Sequence, residues 1–235
     1  MDEQHQDFLE MQKERMPAVD IAMIAVVSGD GLSEVFKSLG AVVVPGGQTM
    51  NPSTKDLLQA AESAVSDKVI ILPNNKNIVL TANQVQSLTN KTIEVVPTET
   101  VPQGVAALLA FDYEADMETN IQLMEKAKSA VRSIEVTRAI RSTKLNGRKI
   151  KRKQAIGFLD GNLVAVSDMA TGALNEVLAE LDLDKAEVIT IYYGADTEPA
   201  EAEQISATIC QQHPQLQVEV VKGGQLHYNF IVSVE

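Results

Sequence analysis

Two periods of apolar residues alternate along the first half of the chain. After a charged leader ending at Pro17, DIAMIAVVS (residues 20–28) is a nearly continuous apolar run. LSEVFKSL (32–39) then brings Leu32, Val35, Phe36 and Leu39 onto one side of a helix that Gly40 closes. The same pair recurs three times. AVVV (41–44) precedes a helical pattern over 54–65 with Leu57, Leu58, Ala61 and Val65 on one side. KVIIL (68–72) precedes a helix from Val79 to Leu88, and IEVV (93–96) precedes QGVAALLAF (103–111). Four strand and helix pairs predict a mainly parallel sheet covered on both faces.

The second half changes character. A helix over about 116–131 leads into a stretch where Asn146-Gly147 and Asp160-Gly161 are hairpin-turn dipeptides, so antiparallel strands are expected there. A helix with Leu174, Val177, Leu178 and Leu181 in register follows, then the strand EVITIYYG (187–194). Next comes a helix with Ala202, Ile205, Ile209 and Cys210 on its apolar side. QVEVVKGG and LHYNFIVSVE end the chain as a pair of strands. The expected architecture is α/β with two α/β domains, 18–113 with a mainly parallel sheet and 114–235 with a mixed sheet and antiparallel hairpins, after a residual linker over 1–17. The triplet Gly46-Gly47-Gln48 recurs as Gly223-Gly224-Gln225, but at a different place in the order of elements, so no duplication follows.

In a parallel sheet the loops leaving the carboxyl ends of the strands gather on one edge, where ligands usually bind. Three such loops are polar here: PGGQTMNPS, PNNKN and PTETVPQG. Gly46 and Gly47 permit close backbone approach, and Asn51 or Ser53 with Pro52 starts a helix, with Ser53 and Asp56 placed as a capping box. Turn and capping chemistry accounts for the same residues equally well. Asn77 is a further candidate cap for the helix after PNNKN.

The 235 residues are 45% apolar, enough for one large or two smaller cores, and no apolar run reaches the length of a membrane span. The charged start is unlike a signal peptide, and a lone cysteine fits a reducing compartment, so a cytoplasmic protein is expected. Charge is uneven. Between Arg132 and Lys153 lie nine of the 20 Lys and Arg residues but only one of the 32 acids, Glu135, within a chain of net charge −12. The window reads either as a solvated hairpin or as a docking surface for an anionic ligand or acidic partner, with Arg148, Lys149, Lys151, Arg152 and Lys153 at its centre. No tryptophan, 4% aromatics and an acidic balance argue against nucleic acid.

Catalytic groups are scarce. His5, His213 and His227 lack metal-ligand spacing, Cys210 sits on an apolar helix face, and there is no Walker loop, nucleophile elbow or His-Glu-x-x-His motif. No catalytic or metal-ligating residue is assigned.

SGDGLSEVFKSLG, GGQTMNPST, VIILPNNKNI, VVPTETVPQGVAALLAFD and GGQLHYNFIVSVE together resemble the middle and C-terminal domains of the ATP-binding subunit of fatty acid kinase, whose family has a dihydroxyacetone-kinase-like organisation. The resemblance covers almost the whole chain. It implies an N-terminal kinase domain that binds ATP and magnesium through an Asp-Gly-Asp-x-Gly motif, which this chain lacks, Ser28-Gly29-Asp30-Gly31 being a superficial likeness. It therefore implies a bacterial fragment with no cofactor of its own. The parent enzyme would phosphorylate a fatty acid held by a DegV-type binding protein, and the acyl phosphate would feed phospholipid synthesis. The domains here would form a homodimer and dock that partner, in a fold resembling the two-domain DegV type, without membrane insertion. On this reading Gly46, Gly47, Gln48, Thr49, Asn51, Ser53, Asn74, Asn75, Lys76, Thr98 and Gln103 rim a vestigial or regulatory ligand site or a domain contact. The alternatives are a stand-alone lipid or small-anion binding protein, and a self-sufficient kinase.

Overall fold

The computed structural model describes residues 20–47, 51–145 and 147–235. The proposed linker over 1–17, Gln48, Thr49 and the turn residue Asn146 lie outside the described residues. Four strands, β1 (Ala22–Val27), β2 (Ala41–Pro45), β3 (Lys68–Leu72) and β4 (Thr92–Val95), form a fully parallel sheet in the order β2-β1-β3-β4. The central strands β1 and β3 are buried almost throughout, whereas the edge strands β2 and β4 alternate with exposed positions. That is the burial a sheet covered on both faces requires, and it explains the continuous apolar runs in the sequence.

The connecting helices are α1 (Asp30–Ser38), α2 (Thr54–Ser63), α3 (Lys76–Val85) and α4 (Val101–Leu109), followed by α5 (Met117–Ala130). Ile24, Val26, Val69 and Ile71 pack on one face of the sheet with Leu57 and Ala61 of α2 and Ile78, Ala82 and Val85 of α3. Met23, Ala25, Ile70 and Leu72 face the other way, against Leu32 and Phe36 of α1, Val105 and Leu108 of α4 and Met124 of α5. Tyr192 and Ile231, from the second sheet, complete this layer.

The second sheet runs β11-β10-β12-β5-β8-β9, from β5 (Arg132–Arg138), β8 (Ala155–Leu159), β9 (Asn162–Ser167), β10 (Val188–Tyr193), β11 (Gln217–Lys222) and β12 (Tyr228–Val234). Only β10 and β11 pair in parallel, so the sheet is mixed, as the sequence predicts. Alternation separates its faces. Ile134, Val136, Ile191, Phe230 and Val232 pack with Leu174 and Val177 of α6 (Ala170–Leu178) and Ile205 and Ile209 of α7 (Pro199–Gln212). Ile231 and Tyr192 point to the first sheet. Among the described residues the short strands β6 (Thr143–Leu145) and β7 (Arg148–Ile150) pair only with each other and form a separate two-stranded arm.

Four details differ from the sequence reading. The helix expected from Val79 to Leu88 starts and stops three residues earlier, because the Asn75 side chain, not Asn77, accepts from the Asn77 amide and caps it. Val65 is 99% exposed, beyond the end of α2. Cys210 lies on the exposed side of α7, although Ile209 next to it is buried. The two terminal strands are not neighbours, since β10 lies between β11 and β12.

A candidate site at the crevice between the sheets

The strand order places a topological switch point between β1 and β3, where the chain leaves in opposite directions from adjacent strands. A crevice opens there by geometry, at the carboxyl ends of the strands. In this molecule it is closed over by the second sheet. Val26, Val27 and Ser28 from the end of β1, Gly46 and Gly47 after β2, and Pro73, Asn74 and Asn75 after β3 form one wall. Glu135 of β5 and residues 225–228 form the other. The cavity between them holds about 80 Å³.

The two walls meet through glycine. The segment Ser28-Gly29-Asp30-Gly31 starts α1 directly against Gly223-Gly224, and the Leu32 amide donates to the Gly223 carbonyl at 2.9 Å. A Cβ on Gly31 would fall 1.7 Å from the Lys222 carbonyl oxygen, and one on Gly29 2.6 Å from the Gln225 amide nitrogen. Backbone contact this close admits no side chain. The resemblance of Ser28-Gly29-Asp30-Gly31 to a nucleotide-binding motif thus has a packing origin.

Several of the polar residues singled out in the sequence are engaged within the fold. Asn74 takes a left-handed conformation, φ 54°, its Nδ2 donates to the Val26 carbonyl at 3.1 Å, and its Oδ1 accepts from Thr98 Oγ1 at 2.8 Å. The Asn74 amide in turn donates to Thr98 Oγ1 at 3.0 Å. This buried latch ties the end of β1 to the loops after β3 and β4. Asn75 caps α3, and Gln103 accepts from the Glu99 amide through Oε1 at 2.8 Å. Ser53 and Asp56 form the expected capping box on α2, exposed, while Asn51 lies exposed before it. Hydrogen bonding to Ser53 holds the Asp56 carboxyl below the usual range. Of the sequence candidates, Gly46, Gly47, Asn74 and Asn75 line the cavity, and Lys76 lies close enough to act on its carboxylate.

That carboxylate, Glu135, was legible only as the lone acid of the basic window. In β5 it shares a face with Ser133, which is buried and bonded through Oγ to Thr100 Oγ1 at 2.7 Å, so the alternation of the strand directs Glu135 to the first sheet. Burial pushes its carboxyl up to about 7, while a hydrogen bond from Tyr228 and the charge of Lys76 act in the opposite direction. Beside it, His227 is left-handed at φ 71°, and its carbonyl accepts from Thr137 Oγ1. Gln225 is 2% exposed. Its Nε2 donates to the Tyr192 carbonyl at 2.9 Å, and its Oε1 has no hydrogen-bond partner among the described residues. The sequence signals for these residues were the repeated Gly-Gly-Gln and a charged residue in a strand that otherwise alternates. A protonatable carboxyl, a phenol and glycine backbone can exchange a proton with, or hold, a small polar molecule. The volume falls well short of the roughly 300–1,000 Å³ of pockets that enclose larger ligands.

The arm carries the second group of candidates. Arg148, Lys149, Lys151, Arg152 and Lys153 are all exposed, and none forms an ion pair among the described residues. Among the described residues no cluster of His, Cys, Asp or Glu could hold a metal ion, and no helix is long and apolar enough to cross a membrane.

Residues 22–235 match the C-terminal family of FakA-like fatty acid kinase proteins. Protein YloV of Bacillus subtilis is 41% identical over 214 residues, covering 91% of this chain and 39% of YloV. The chain spans about two fifths of the length of the curated relatives it matches. The fold is shared with the Streptococcus pneumoniae Fatty Acid Kinase (Fak) B3 protein loaded with linoleic acid, at a TM-score of 0.65 and 11% identity over 92% of this chain and 99% of that one. It is also shared with the dihydroxyacetone kinase of C. freundii, at a TM-score of 0.61 and 14% identity over 94% of this chain and 49% of that one.

Proposed function

The chain belongs to the FakA-like C-terminal family of fatty acid kinase proteins, and from that premise we propose that it is the non-catalytic dimerisation and docking portion of a two-component fatty acid kinase, receiving a DegV-type fatty-acid-binding protein. The reading rests on one observation. The chain has the fold of proteins described with a bound fatty acid, yet its crevice holds only about 80 Å³. A long acyl chain does not fit in that volume, which favours a body that has kept the fold of a lipid carrier for contact rather than carriage. ATP and magnesium belong, on this reading, to a kinase domain elsewhere in the enzyme, and the acyl phosphate product serves phospholipid synthesis. The closed crevice also speaks against the alternative of a lipid enclosed between the two sheets.

Isothermal titration of the chain with a fatty-acid-loaded DegV-type protein, at low and moderate salt and without ATP, tests the reading. Salt-sensitive binding, together with no lipid in the mass spectrum of the purified chain, is the expected result. No heat at either salt, or a copurified fatty acid, would overturn it. Charge reversal at Arg152 and Lys153 in the same titration assigns the surface: lost affinity places docking on the arm, and unchanged affinity places it on the acidic body.

A further inference from the structure

We infer that the β6–β7 arm is a docking surface for the anionic headgroup face of a lipid bilayer. From Arg138 to Lys153 the chain has eight Lys and Arg residues and no Asp or Glu. All eight are exposed. The pairing of the arm makes the excess costly in isolation: Lys144 stands directly opposite Lys149, where like charges repel. No acidic side chain of the described residues forms an ion pair with any of the eight. An uncompensated, solvent-facing run of like charge favours an anion from outside the molecule.

Apolar exposure indicates which kind. Ile140 is 85% exposed between Arg138 and Arg141, and Leu145 is 43% exposed opposite Arg148. Beneath them an open groove of about 680 Å³ runs between the arm and the second sheet, with Ile150 and Ile156 in its floor. Nucleic acid would ask for stacking aromatics, and the segment has none. Aliphatic side chains flanked by Lys and Arg match a membrane surface, where the cations meet phosphates and the aliphatics enter the boundary of the acyl region. Arg138 and Arg141 line the groove, while the other six charges are strung along the arm outside it, which suits an extended anionic plane. Repulsion between that plane and the acidic body is screened beyond roughly 8 Å at physiological ionic strength. The inference does not depend on the kinase reading, because it invokes neither the DegV-type partner nor catalysis.

The chain contains no tryptophan, so Ile140→Trp supplies a single reporter on the arm. Purified chain is sedimented with vesicles of phosphatidylglycerol in phosphatidylcholine and with phosphatidylcholine alone, and the reporter's emission is recorded in parallel. Cosedimentation with the anionic vesicles only, a blue shift on binding, and a loss of about a hundredfold or more in apparent affinity in the variant Arg148→Glu/Lys149→Glu/Arg152→Glu/Lys153→Glu are expected. Its circular dichroism should match the unmodified chain, since all four positions are exposed. No cosedimentation, no blue shift, or equal binding by the reversed variant would overturn the inference. So would polyglutamate or duplex DNA binding more tightly than the vesicles, which would assign the arm to an acidic macromolecule.

Discussion

In the crevice Asn74 gives both ends of its amide to Val26 and Thr98, and Asn75 caps α3. On the arm Lys144 faces Lys149, and Arg148 stands opposite Leu145. Both regions are polar in sequence, yet the first directs its polar groups inward and the second outward. Buried polar groups must find partners within the fold, whereas exposed charges carry no such obligation. Substitutions in the crevice should therefore be read first as changes in stability, and those on the arm as changes in association.

The largest effect should come from the glycine contact that closes the crevice. Gly31→Ala would set a Cβ 1.7 Å from the Lys222 carbonyl and force α1 away from the second sheet. A loss of more than about 3 kcal/mol in denaturant unfolding is expected. Gly147→Ala on the arm meets nothing within 4 Å, and only its positive φ of 79° opposes it, for roughly 1 kcal/mol. Equal losses at the two positions would break the comparison. Next in size is Thr98→Val, which keeps the shape but leaves the Asn74 amide and Oδ1 without their partner. About 2–3 kcal/mol should be lost.

Glu135 gives a pH signature of comparable or smaller size. Its folded pKa of about 7 stands above the ordinary value of 4.5, so the folded state holds the proton more tightly than the unfolded one. Its contribution is complete below about pH 4.5 and fades as pH rises through about 7, on the order of 3 kcal/mol in all. Glu135→Gln should flatten that part of the stability profile and be the more stable form at pH 8. A variant whose profile keeps the same slope between pH 5 and 7 would show that another group titrates there.

Much of the fold could be read because burial wrote it plainly. β1 and β3 are apolar throughout since helices cover both their faces, and Asp160-Gly161, at φ 48° and 77°, turns β8 into β9 as a hairpin dipeptide should. The neighbours of β11 and β12 could not be read, because strand order depends on contacts distant in sequence, and β10 lies between them only in space. The site was less legible than the fold. A polar residue looks the same in sequence whether it lines a cavity, as Asn75 does while also capping α3, or caps a helix in solvent, as Ser53 does. Glu135 was hidden for the opposite reason. It is the one acid in a window rich in exposed basic residues, but between the buried Ile134 and Val136 the alternation of β5 turns it to the opposite face and into the crevice.

The smallest stability change is expected where the functional change is largest. Arg152 and Lys153 are exposed, and the fold holds them through backbone groups: the Arg152 amide donates to Ser142 Oγ at 3.0 Å, the Lys153 amide to the Ala139 carbonyl at 2.7 Å, and Arg138 Nη1 to the Lys153 carbonyl at 3.1 Å. None of these bonds involves the side chain of either residue, so Arg152→Glu with Lys153→Glu should move the unfolding free energy by no more than about 0.5 kcal/mol. Lys153 has a φ of 73°, and glutamate at that position meets the same backbone strain as lysine, so the comparison isolates charge. Removing two positive charges and adding two negative ones within the basic window should nevertheless flatten the salt dependence of whatever the arm binds. A loss of stability above about 1 kcal/mol would mean that these side chains are bound into the fold after all, and would erase the contrast between an arm that faces outward and a crevice that faces inward.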